Sequence, residues 1–81
     1  HSVSPTIFRS GPYRFYFLSR EEPRIHVHVT SSDGEVKFWI EPLIELATRH
    51  GLNDRQLKSV EQIVRTNEEK VRDSWRDHFG G

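Results

Sequence analysis

No cysteine occurs among the 81 residues, which excludes disulfide bridges and thiolate metal sites. That absence fits a reducing compartment, and a cytoplasmic location is the expectation. Net charge is absent as well: twelve basic side chains face twelve acidic ones. The balance holds locally, with five of each sign in residues 1–42 and seven of each in residues 43–81. Neither half is a basic module, so long-range attraction to nucleic acid is weak and any RNA contact must come from a local patch. No apolar run approaches the roughly 18 residues of a membrane span, and no stretch reads as a signal peptide. No membrane partner is expected. Apolar residues are scarce too, at 33% against 30% charged. A single domain this short buries only about 60% of its unfolded surface. Nearly every apolar side chain must therefore go inside, and a long helix or a second subunit would help to hold the fold.

What is present divides into two patterns. Residues 6–42 alternate short aromatic and β-branched runs with turn signals. Gly11-Pro12 marks a turn between TIFRS and YRFYFL. Tyr13 to Leu18, Arg24 to Thr30 and Glu35 to Glu41 read as strands. Arg20-Glu21-Glu22-Pro23 is a polar connection, and Ser31-Ser32-Asp33-Gly34 a hairpin turn. After Pro42 the period changes. Leu43 to His50 reads as a short helix stopped by Gly51. Asn53 is an N-cap with a capping-box partner in Gln56. Leu57, Val60, Val64, Val71 and Trp75 then recur at helical spacing, predicting one helix from Asp54 to about His78, roughly 37 Å long. Trp75 is a core or dimer anchor, and Phe79 a weaker one. The expected fold is a single α+β domain: an antiparallel β-meander of three to four strands (1–42), then a short helix and a long C-terminal helix packed on one sheet face (43–81).

The chemistry gathers on PRIHVHV and EVKFWIEP. With Asp33-Gly34 as a two-residue loop, Val29 faces Phe38 and Val27 faces Ile40, making one apolar face with Ile25 and Val36. On the other face His28 lies opposite Trp39, His26 opposite Glu41, and Thr30 opposite Lys37. Arg24 joins them, as do Arg14 and Tyr16 if Phe15 and Phe17 point inward. A one-residue slip would scramble the faces.

Three chemistries suit this set. His26 and His28, one residue apart on a strand, are candidate divalent-metal ligands, with Glu41 as a third. Alternatively His26 is a general acid or base oriented by Glu41, with Arg24, Lys37 and Arg14 holding phosphate and Tyr16 and Trp39 stacking on bases, as a metal-independent ribonuclease requires. Or Arg14, Tyr16, Arg24, His28, Lys37 and Trp39 form a protein-binding surface, where Trp, Tyr and Arg are favoured. Cross-strand decoration of an exposed sheet is the plainest account of the same residues.

The runs SPTIFRSGPYRFYFLSREEPRIHVHV and GEVKFWIEP, with the late Trp75, resemble a family of short bacterial proteins, domain of unknown function 4160. The resemblance covers nearly the whole chain. Many relatives read Pro-His-Ile-His-Val, where this chain has Arg24 in place of the first histidine and His26 at the second, while His28 lies beyond that motif. This departure weakens a two-histidine metal site. The resemblance implies no activity, cofactor or catalytic residue. It implies a context like that of small toxin–antitoxin modules, and hence a small cognate protein encoded nearby as partner; a homodimer and an RNA target are the other partners to consider. The expectation is a partner-binding component of such a module, with an RNA-cleaving toxin and a metal-binding protein as alternatives.

Overall fold

The computed structural model describes residues 6–18 and 23–79. They form β1 (Thr6–Ser10), β2 (Tyr13–Tyr16), β3 (His26–Ser31), β4 (Gly34–Trp39) and β5 (Glu45–His50), then α1 (Asp54–Thr66) and α2 (Glu68–Phe79). The strands make one antiparallel sheet in the order β1-β2-β3-β4-β5. The chain is α+β, as its composition of elements implies, with five strands rather than three or four. The polar connection expected around residues 20–22 lies outside the described residues.

The strands follow from their side chains. Phe15, Val27, Val29, Val36 and Phe38 alternate onto one face and are buried. Phe17 and Ile40 extend that layer past the strand ends, and Ile40 N–H donates to the Ile25 carbonyl at 2.9 Å. Val60, Val64, Val71 and Trp75 close over it from the helices. The β1–β2 turn needs Gly11, whose φ of 58° lies in the left-handed region.

Three expectations are corrected. The β3–β4 register is displaced by two residues: Ser31 faces Gly34, so Ser32-Asp33 form the turn. His26 therefore lies opposite Trp39 and His28 opposite Lys37. Gly34 serves close packing instead of turn geometry. A Cβ there would collide with the His50 carbonyl oxygen and the Gly51 backbone. Because the displacement is two, every side chain keeps its face.

Residues 45–50 form a strand and not the expected helix. The segment pairs with β4 along its length and satisfies backbone groups that a helix would leave open. Most of its side chains are exposed, so it carries no apolar period to reveal it.

The long helix is broken at Asn67, which sits at φ −109° and ψ 22°. The Asn67 amide Nδ2 donates to the Ile63 carbonyl at 2.9 Å, competing with the helix backbone. The longest Cα extent of the molecule is 34 Å, less than the roughly 37 Å of an unbroken helix. The break keeps the apolar stripe on the sheet. At its start the helix is capped as the sequence predicts: Asn53 Oδ1 accepts from Gln56 N at 2.8 Å, and Asn53 N donates to Gln56 Oε1 at 2.9 Å. Arg72 ties α2 to the end of β4, donating to Glu41 Oε2 at 2.6 Å and to the Ile40 carbonyl at 3.1 Å. Its guanidinium pKa is raised, chiefly by the hydrogen bond to Glu68.

Candidate binding face

The sheet face away from the apolar layer carries seven of the eight side chains expected to form a site. They are joined by ring contacts that run across three strands. Arg14 donates through Nε to Thr6 Oγ1 at 2.7 Å and lies over the Tyr16 ring, 4.7 Å from its centre. Tyr16 stacks on His28, with ring centres 5.4 Å apart and planes 25° from parallel. His28 meets His26 edge to face at 5.2 Å, and His26 meets Trp39 likewise at 5.5 Å. Two cations close the line on the Trp39 ring: Arg24 at 4.2 Å and Lys37 at 4.4 Å. Arg24 also reaches Glu45 Oε1 at 3.1 Å.

The pleat explains why these residues meet. Arg14 and Tyr16, His26 and His28, and Lys37 and Trp39 are each two apart on a strand and so share a face. The observed registers place Tyr16 opposite His28, His28 opposite Lys37, and His26 opposite Trp39. Each cation–ring contact contributes about 0.5–1 kcal/mol at an exposed site, and the Arg24–Glu45 pair, with both side chains substantially exposed, about 0–1 kcal/mol. The principal effect is geometric: these long side chains are held in place before anything binds.

His26 departs from its neighbours. It is fully buried, at 0% exposure, and besides His28 and Trp39 its ring meets Trp75 from α2 edge to face at 5.1 Å. His26 Nδ1 lies 2.6 Å from the Arg24 carbonyl oxygen. A carbonyl only accepts, so Nδ1 carries the hydrogen. Glu41 leaves the set. Trp39 takes the cross-strand place expected for it, its carboxylate binds Arg72, and its carbonyl accepts from Arg24 Nε at 2.6 Å. The expected His26–Glu41 acid–base pair does not form. Among the described residues no group of three or more His, Cys, Asp or Glu side chains is placed to hold a metal ion.

Strand β5 adds residues that were hidden while the segment read as a helix. Thr48 lies opposite Lys37, His50 opposite Glu35, and Glu45 opposite Trp39. A cavity of about 260 Å³ opens between β3, β4 and β5, lined by His28, Glu35, Val36, Lys37, Thr48, Arg49 and His50. The signal for these residues is indirect: a β4 strand with one neighbour has an edge to fill. The Tyr16 hydroxyl is held above its usual pKa, first by burial and then by the Glu35 carboxylate, with Arg14 pulling the other way. It stays a neutral donor at physiological pH. Leu43 and Leu46 are 61% and 43% exposed; Leu46 lies opposite Phe38, at the other end of β5 from His50.

A small meander with one helix-covered face, and a second face of stacked cations and rings, defines an α+β protein with a polar-aromatic surface. The family described as Domain of unknown function (DUF4160) matches residues 13–76, and the chain belongs to it. No curated protein and no solved structure matches the chain. Among the described residues no helix is long and apolar enough to cross a membrane.

Proposed function

We propose that the chain is the partner-binding component of a toxin–antitoxin-like module, and that it holds a cognate protein on the face built by Arg14, Tyr16, Arg24, His28, Lys37 and Trp39. One observation carries this reading: the side chains are stacked on one another from Arg14 through to Trp39. Trp, Tyr and Arg are the residues that dominate binding energy at protein interfaces. Holding them in place beforehand reduces the ordering cost of association, about 0.5–1.5 kcal/mol for each rotamer-rich side chain. The module itself is what the family resemblance implies.

RNA binding at the same face is the second reading, favoured by the cations lying over Tyr16 and Trp39, since bases stack on such rings. Cleavage through His26 has less support, because an imidazole at 0% exposure does not reach a phosphodiester in this conformation. Metal binding through His26 and His28 is likewise disfavoured by the use of His26 Nδ1 on the Arg24 carbonyl.

Co-expression with the protein encoded beside it, followed by nuclease treatment and size-exclusion chromatography with light scattering, tests the proposal. A nuclease-resistant complex of fixed stoichiometry is expected. Separate elution of the two proteins, or a complex that nuclease dissolves, would overturn it.

A further inference from the structure

We infer that the outer edge of β5 docks a second copy of this chain, the two β5 strands pairing antiparallel about a two-fold axis to make one continuous sheet. The inference is independent of the partner-binding reading, which concerns the face of the sheet and not its edge.

The edge itself is the first observation. Among the described residues β5 has β4 as its one strand neighbour, so its outward N–H and C=O groups are a template on which another strand can add. Edges that stay single are commonly guarded by lysine or proline, and Glu45–His50 contains neither. The large apolar side chains that stay exposed among the described residues, Leu43 and Leu46, belong to this segment.

The charge pattern names the occupant. Strand β5 begins with Glu45 and ends with Arg49 and His50, so an antiparallel copy brings acid against base at both ends. Strand β1, the other edge, has Arg9 as its one charged residue and lacks this self-complementarity. A bulge aligns the faces. Ala47 is an extra residue, with Thr48 opposite Lys37 and Leu46 opposite Phe38. Five positions apart, Glu45 and His50 would otherwise point to opposite faces. With the bulge, Glu45 lies opposite Trp39 and His50 opposite Glu35, both on the polar face. Leu46 opposite Phe38 and Arg49 opposite Val36 both take the helix-covered side. One register keeps these faces matched: Glu45 against the second copy's His50, and Leu46 against the second copy's Arg49, with the short Ala47 and Thr48 beside the axis. Each pair occurs twice by symmetry. Glu45 gives Oε1 to Arg24, yet its side chain stays 55% exposed, and His50 is exposed. Arg49 keeps its ion pair with Asp54 while its apolar stem covers the second copy's Leu46. The matched faces put the polar-aromatic surfaces of both copies on the same side of the joined sheet.

Sedimentation equilibrium of the chain alone tests the inference, with melting curves for each variant. A mass of two chains is expected, and the substitutions at two positions should act with opposite signs. Leu46→Glu, against an arginine, should dimerise at least about tenfold more tightly than Leu46→Lys, and His50→Lys, against a glutamate, should exceed His50→Glu by a similar factor, since each pair is made twice. If His50→Glu does not fold beside Glu35, the two Leu46 variants, at an exposed position, carry the test. A monomer at every concentration would overturn the inference, as would a dimer with the same affinity in Leu46→Glu and Leu46→Lys. A monomer whose β5 amides gain exchange protection from the cognate protein would assign the edge to that partner and overturn it too.

Discussion

His26 shows how one residue's role is decided from far along the chain. In sequence it alternates with Val27 and belongs to the polar face, and the pleat does put it there. It is buried among His28, Trp39 and Trp75, and the contact with Trp75 on α2 is one that strand periodicity does not encode. His26→Ala is therefore a structural change. It removes a buried ring, leaves the Arg24 carbonyl without its donor, and should cost about 2–4 kcal/mol. The melting midpoint should fall by at least about 8 °C; unchanged melting would contradict the enclosed position. Tyr16 gives a titration at the same scale. Its folded pKa is raised above 10.0, so the neutral phenol is favoured in the fold. Its contribution to stability is fully present below the unfolded value and is lost as pH rises through the folded one. Between about pH 9 and pH 11 the wild type should lose stability relative to Tyr16→Phe in thermal melts. Parallel loss in both proteins would show that folding does not raise the hydroxyl's pKa.

Among the elements, those with a strong period were legible and those without were not. Strands β2, β3 and β4 and the cap at Asn53 announce themselves through alternation and local hydrogen bonding. Even the displaced hairpin keeps its faces, because an error of two residues preserves the pleat's alternation. Strand β5 buries too little to show a pattern, so Thr48 and His50 were invisible as members of the candidate site. The break at Asn67 was also hidden, since Val64 and Val71 keep helical spacing across it. Gly34 is the residue that misleads: the Asp-Gly pair reads as a hairpin turn, whereas the glycine is there because the His50 carbonyl and Gly51 crowd its Cβ position. Gly34→Ala should therefore destabilise the fold by more than about 1 kcal/mol and loosen β5 first, seen as faster amide exchange at residues 45–50 than at residues 26–31. Equal or slower exchange in β5 would contradict the close approach.

Across the whole molecule, one sheet divides two tasks. The apolar face and the helices use most of the core-forming residues of a lean sequence, with Arg72 fastening α2 to the strand end. That leaves the opposite face with little structural demand except at His26, whose ring meets Trp75. The stacked cations and rings on that face are costly to order without a purpose, and binding is the purpose proposed for them. The most direct test is the affinity of the cognate protein for wild type, Trp39→Ala and Arg14→Glu, measured by calorimetry, with melting curves to confirm the fold. A binding face centred on Trp39 predicts a loss of at least about 2 kcal/mol for Trp39→Ala, roughly thirtyfold in Kd, and a clear weakening for Arg14→Glu. Wild-type affinity in both folded variants would contradict the account and move the partner's site elsewhere on the molecule.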